Sequence, residues 1–209
     1  MEDRSFVLMD RLPGWTLNEM TYLKPDVLED NKIAIAYQLG MHAAFAYVFG
    51  VTDGFQTNYI FDPVTRILTR IDKEIFLSVP KNPGHALLDH DEYTQDVSSC
   101  ELSNLKYIPS YRHSDSRGEV VLSFKAGFLD KYAEMRKKRE RLIALVKETR
   151  DTWKRISSPA DILAFDSETL RIVQVVGALM DHDPEKVLKR LFEAKAEVDR
   201  GEYAPEEDD

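Results

Sequence analysis

The run IAIAYQLGMHAAFAYVFGV, Ile33–Val51, followed directly by TDGFQTNYIFDPVTRILTRID, Thr52–Asp72, decides how this 209-residue chain is read. The first part holds nineteen residues without a formal charge, interrupted only by Gln38, His42 and two glycines. That length is enough for a membrane span. The run is rich in alanine, however, and has neither a flanking Lys/Arg asymmetry nor an aromatic belt at both ends, so it reads as a fully buried helix from about Lys32 to Phe49. The second part changes period. Gly50 and Gly54 bracket a polar turn, and Tyr59-Ile60-Phe61 and Arg66–Ile71 are β-like runs joined by Asp62-Pro63-Val64-Thr65, a hairpin with good turn chemistry.

Upstream, Phe6–Asp10 is a short apolar strand that turns at Leu12-Pro13-Gly14-Trp15, and Asp26–Asn31 leads into the apolar helix. Downstream, residues 78–118 are rich in Pro, Gly, Ser, Asn and His and read as loops with short helical pieces. From Phe128 to Ile156, Phe128, Tyr132, Met135, Leu142, Val146, Trp153 and Ile156 mark one long amphipathic helix. Ser158-Pro159 and Asp183-Pro184-Glu185 each place a capping side chain before a first-turn proline, and Gly201 closes the last helix. Together these give a mainly helical α+β chain with one domain over 1–203. Residues 1–77 form its strand, buried helix and hairpin, 78–127 a loop-rich part, 128–203 a helical part, and 204–209 an acidic tail.

Composition narrows the function. With 28 Lys+Arg against 37 Asp+Glu the net charge is −9, which argues against a dedicated nucleic-acid binder. The single cysteine, Cys100, forms no intrachain disulfide and no zinc cluster, and a cytoplasmic setting is the default. Residues 128–156 carry +5, leaving the rest at −14. The ridge Arg136-Lys137-Lys138-Arg139 reads as a solvated helix face, with a phosphate or acidic partner as the alternative.

The chemistry concentrates at Asp53, at Asn58 five residues later, and at Asp72 beyond the hairpin. All three are small polar groups at the mouths of apolar elements. Phosphoryl transfer uses such a set: a carboxylate to orient or deprotonate a hydroxyl, with an amide and a second carboxylate to hold Mg²⁺ against nucleotide phosphates. Hard oxygen ligands suit Mg²⁺. His85-x4-His90 with Asp89 and Asp91, and Cys100 with distant His113, are weaker constellations without further ligands or a positioning signature.

Over about Phe6–Ile75 the chain resembles the C-terminal lobe of the protein-kinase-like superfamily, in particular its lipid-kinase-like and HipA-like branches. Phe6–Gly14 resembles the hinge strand and linker, the apolar helix the buried helix before the catalytic loop, Asp53-x4-Asn58 that loop, and Ile71-Asp72 the metal-binding strand end. The resemblance implies a cofactor pair of ATP and Mg²⁺. Asp53 is then the catalytic base, Asn58 and Asp72 bind the metal and its nucleotide, and Met9, Asp10 and Leu12 line the adenine side, with Met9 as gatekeeper.

The departures from the family pattern are specific. Thr52 precedes the aspartate, Phe55 stands where lipid-kinase-like loops usually carry histidine, and Lys73-Glu74 follows Asp72 in place of Phe-Gly. No Gly-rich loop or strand lysine precedes the hinge-like strand. Two expectations follow: a phosphotransferase lobe completed by a small lobe from elsewhere, or a catalytically degenerate lobe that binds a nucleotide or protein. In either case Phe6, Leu8 and Leu12 should form an exposed edge, open to a small-lobe partner chain or to a homodimer.

Overall fold

The computed structural model describes residues 12–51, 54–71, 92–154 and 159–201. In chain order these are β1 (Trp15–Thr16), α1 (Leu17–Leu23), α2 (Pro25–Asp30), α3 (Lys32–Phe49), β2 (Tyr59–Asp62), β3 (Ile67–Arg70), α4 (Glu92–Glu101), α5 (Ser114–Lys137), α6 (Arg139–Lys154), α7 (Pro159–Asp181) and α8 (Pro184–Asp199). Three 3-10 helices, Gln56–Asn58, Leu102–Tyr107 and Pro109–Arg112, lie between them. The described residues are mainly helical, with one small antiparallel sheet ordered β1-β2-β3. None of their helices is long and apolar enough to cross a membrane.

α3 is the axis, and its bounds are those the uncharged run predicts. Ile35, Leu39, Ala43, Ala46, Tyr47 and Val48 are buried along it, and Gly50 in the left-handed region ends it with its N–H on the Ala46 carbonyl. Helix α5 crosses α3 at a pair of glycines. A β-carbon on Gly40 would stand 1.9 Å from the Phe124 carbonyl oxygen, and one on Gly127 would stand 1.8 Å from that of Tyr37. The backbones therefore touch, and Phe124, Phe128 and Tyr132 of α5 fill the core on either side.

The sheet lies on the other flank of α3. In the β2–β3 hairpin Tyr59 pairs with Arg70 and Phe61 with Leu68, and these four side chains point inward while Ile60, Asp62, Ile67 and Thr69 point out. Asp62 shapes the turn by accepting from the Val64 N–H at 2.9 Å and the Thr65 hydroxyl at 2.8 Å. The free edge of β3 is closed by α3. Gln38 donates to the Arg66 carbonyl at 2.8 Å and accepts from the Leu68 N–H at 2.7 Å, while His42 Nε2 lies 3.1 Å from the Leu68 carbonyl oxygen. Two helix side chains thus take the place of a neighbouring strand.

Several sequence expectations are corrected here. Residues 92–127 are not loop-rich: α4 and the first half of α5 occupy most of them, and Val97, Leu102, Leu105, Ile108 and Val120 enter the core. The single long helix expected over Phe128–Ile156 is two helices where it is described, because α5 begins at Ser114 and ends at Lys137, and at Lys138 the backbone leaves helical geometry (φ −99°, ψ 10°) before α6 starts at Arg139. α1 was not expected. Its start is marked by a capping box in which Glu19 N–H donates to Thr16 Oγ1 at 3.0 Å and Thr16 N–H to the Glu19 carboxylate at 2.8 Å. The two later expectations hold: Asp183 caps α8 through the Glu185 N–H at 3.0 Å, and Gly201 ends it with φ of 70°.

Three of the four residues in the basic ridge are engaged by the chain itself. Arg136 donates to the carbonyls of Met180, at 2.5 Å, and His182, Lys138 pairs with Glu134 at 2.6 Å, and Arg139 pairs with Asp181 at 2.5 Å. Hydrogen bonds from Lys138 and Lys131 hold the Glu134 carboxyl down at about 2.

Candidate functional site

The loop between α3 and β2 is anchored at Gly54. Gly54 is buried against Glu101 of α4, so closely that a β-carbon there would stand 2.3 Å from Glu101 Oε1. The Gly54 carbonyl accepts from Asn104 Nδ2 at 2.6 Å, and the same amide group donates to the Cys100 carbonyl at 2.9 Å. One asparagine thus ties the loop to the end of α4.

Glu101 is fully buried and ionically paired. Arg70 Nη1 reaches its Oε1 at 2.6 Å, the two side chains being 2% and 0% exposed, and the Tyr59 hydroxyl donates to its Oε2. The arginine belongs to β3 and the tyrosine to β2, so one carboxylate gathers both hairpin strands and the loop. Burial, and then the Glu101 charge, push the Tyr59 hydroxyl well above its usual range, which keeps it a donor. Arg70 Nε and Nη2 have no hydrogen-bond partner among the described residues. Removing a partner from such a buried pair leaves an uncompensated charge, so the network fixes position strongly whatever it adds to net stability.

Cys100 lies beside the same loop. Burial raises its thiol to about 11, against a lowering hydrogen bond from the Gly54 backbone, so at neutral pH it is a thiol and a poor nucleophile. His113 stands at the start of α5 as its N-cap residue, with no hydrogen bond to Cys100 among the described residues. Neither supports the thiol-nucleophile reading.

At the far end of the loop, Asn58 N–H donates to the Phe55 carbonyl at 2.8 Å and closes the 3-10 turn, and the Asn58 carbonyl accepts from the Ile71 N–H at 2.8 Å. This bond extends the hairpin register by one step beyond the Tyr59–Arg70 pair. Asn58, a half-buried residue, therefore sits opposite the residue that directly precedes Asp72 in the chain. Ile60 and Ile71, both half-buried, belong to the outward side of this hairpin end. Phe55 is 60% exposed, an apolar ring at the loop surface.

Of the residues the resemblance places at the nucleotide site, Asn58 and Leu12 are described, and Leu12 is 39% exposed. Asp53, Asp72, Met9 and Asp10 lie outside the described residues, as do Phe6, Leu8, His85 and His90. Among the described residues no group of three His, Cys, Asp or Glu side chains is close enough to hold a metal ion. Sequence reasoning missed Glu101, Arg70, Tyr59 and Asn104. A signal for Arg70 existed: in the alternation Leu68-Thr69-Arg70 it takes an inward position, and a buried guanidinium requires a carboxylate.

No protein-family model matches the chain, and no curated protein or solved structure is significantly similar to it.

Proposed function

We propose that the chain is a kinase-like lobe that binds a magnesium nucleotide at the open end of the β2–β3 hairpin. The observation that carries this reading is the Asn58–Ile71 backbone bond of 2.8 Å, because it sets the amide of the loop beside the strand end that leads into Asp72. Asn58 and Asp72 supply an amide and a carboxylate oxygen, a donor set that fits a hard divalent cation and no soft one. When bound, Mg²⁺ would neutralise phosphate charge. The chain's own part is positional. Glu101 and Asn104 hold Gly54, the neighbour of Asp53, and the register holds Asn58, so both ends of the loop are fixed without a ligand. Asp53 is the proposed base toward an acceptor hydroxyl. Ile60, Ile71 and Leu12 offer apolar surface for a nucleobase.

One observation favours the binding-module reading over an active transferase. Phe55, exposed three residues before Asn58, has no polar group with which to meet a phosphate. Calorimetric titration of Mg-ATP into the wild type and Asp72→Ala tests the proposal. Magnesium-dependent binding lost in the variant is the expected result, and no heat at millimolar nucleotide overturns it. ATP turnover that disappears in Asp53→Asn would identify a transferase; binding without turnover would identify the module.

A further inference from the structure

Helix α3 is apolar on every face, yet one of its faces is left at the surface. From Ile33 to Phe49 it carries no formal charge, the composition of a helix buried all round. α5 covers one flank and the hairpin the other, and between them Ile33 is 44% exposed while Ala34, Tyr37 and Met41 are half-buried. These residues floor an open groove of about 540 Å³, with Ser123 of α5 on one wall and Arg66 of the hairpin turn on the other. From Ile33 to Met41 the floor runs about 12 Å, at about 1.5 Å of rise per residue.

The side-chain donors along the groove are spent, with one exception. Tyr37 donates to Asp130 at 2.7 Å, Ser123 to the Ile33 carbonyl at 2.8 Å, and Gln38 Nε2 to the carbonyls of Ala34 and Arg66, at 3.1 and 2.8 Å. The Arg66 guanidinium is exposed and makes no hydrogen bond or ion pair among the described residues. Its backbone position is an unfavourable one for arginine. Arg66 has φ of 58°, in the left-handed region that glycine or asparagine occupies with less strain. The bond to Gln38 uses only the main-chain carbonyl, which any residue supplies, so it does not account for the arginine. What the arginine adds is a cation at the rim of an apolar groove.

Charge and shape together select the occupant. An apolar body with one anionic group complements an apolar floor with a single unpaired cation at its edge. A planar carboxylate meets the guanidinium fork one charge against one, whereas a phosphate monoester brings nearly two. Asp130, held on the α5 side by Tyr37, repels an anion there, so the head lies at the hairpin wall and the chain along α3. An extended peptide finds no main-chain partner, because Gln38 and His42 already occupy the edge of β3. Two turns of helix are too short a seat for a partner helix across an ordinary interface of about 800 Å² a side. The net charge of −9 sets the chain against an anionic bilayer.

We infer that this groove binds a free carboxylic acid with a hydrocarbon chain, its carboxylate on Arg66 and its chain along residues 33–41 of α3. The inference stands apart from the nucleotide reading and uses none of its residues. Titration of the full chain with hexanoate, octanoate and decanoate, each below its micelle threshold and followed by backbone-amide NMR, tests it. Saturable shifts are expected at residues 33–41, Arg66 and Ser123, with affinity rising at least about fourfold for each two methylenes added. Decanol should bind about threefold to tenfold more weakly than decanoate. Arg66→Asn, which suits the left-handed φ, should erase that preference by weakening decanoate alone. Met41→Glu should weaken both ligands by setting a charge on the floor, and at a half-buried position it should keep the wild-type circular dichroism. The chain-length series and the decanol comparison use the wild type, so they decide the matter even where a variant fails to fold. The inference is overturned if decanoate gives no saturable binding, if the alcohol binds as tightly as the acid, or if Arg66→Asn binds decanoate like the wild type. Shifts centred on another surface, such as the groove of α5 and α8 at Lys125 and Phe192, also overturn it. So does binding seen only with phosphatidylserine vesicles, which would make the groove a membrane contact.

Discussion

Gly127 and Gly54 are both held so near a neighbour that a β-carbon has no room, but the neighbours differ in kind. Gly127 meets the Tyr37 carbonyl of α3 within an apolar core, whereas Gly54 meets the ionised side chain of Glu101. The first contact joins two helix backbones, which can yield only by moving apart as whole helices. The second joins a loop to a carboxylate that also holds β2 and β3. The molecule thus has a frame fixed by packing on one flank of α3, and on the other a loop fixed by charge and hydrogen bonds.

The largest expected effect is on the frame. Gly127→Ala puts a carbon 1.8 Å from the Tyr37 carbonyl oxygen, forces α3 and α5 apart, and should cost about 3 kcal/mol or more in denaturant unfolding. Gly118, in the same helix, has nothing within 4 Å of its missing side chain. There alanine should stabilise by about 0.5–1 kcal/mol through helix propensity alone. If the two substitutions behave alike, the helix crossing is not the close contact described.

On the charged side the test separates stability from placement. Glu101→Ala leaves the Arg70 guanidinium buried without its carboxylate and should destabilise by about 3–5 kcal/mol. Glu101→Leu combined with Arg70→Met removes both charges and should recover most of that loss, since apolar replacement of a buried pair is often neutral. If the network serves to place the loop, the double variant should unfold like the wild type yet bind Mg-ATP more weakly. Wild-type binding in a stable double variant would assign the pair to packing alone.

What the sequence discloses follows the same division. α3 is legible to the residue because an uncharged run ends at a glycine, and the hairpin is legible because period and turn chemistry agree. The first half of α5 is obscured by the demands of the crossing: Gly118 and Gly127 are poor helix formers, and Gly127 is needed where α3 comes close. α4 is hidden by a polar composition whose buried members, Thr94, Gln95, Ser98 and Glu101, look like a surface segment. Their burial depends on partners far along the chain, such as Arg70, thirty-one residues before Glu101. At the candidate site Asn58 and Asp72 can be found as residue types, but the bond that relates them belongs to the hairpin register. α1 is the exception, since Thr16-x-x-Glu19 was readable as a capping box.

The smallest expected effect concerns a titratable contact on the apolar flank. His182, in the turn between α7 and α8, lies with Nδ1 2.9 Å from the Tyr47 hydroxyl of α3. Burial lowers its pKa, against the raising influence of Asp181, while Arg136 lowers it further. A neutral ring can accept the tyrosine proton at Nδ1, and an imidazolium cannot. With the folded value depressed, the unfolded chain binds the proton more readily, so stability falls as pH drops below the unfolded histidine value of about 6.5. Thermal unfolding between about pH 7 and about pH 5.5 should therefore show a larger decrease for the wild type than for His182→Gln, whose side chain does not titrate. Equal pH slopes in the two proteins would mean that the Tyr47–His182 contact forms equally well with a charged ring, and the packed flank would then be insensitive to protons.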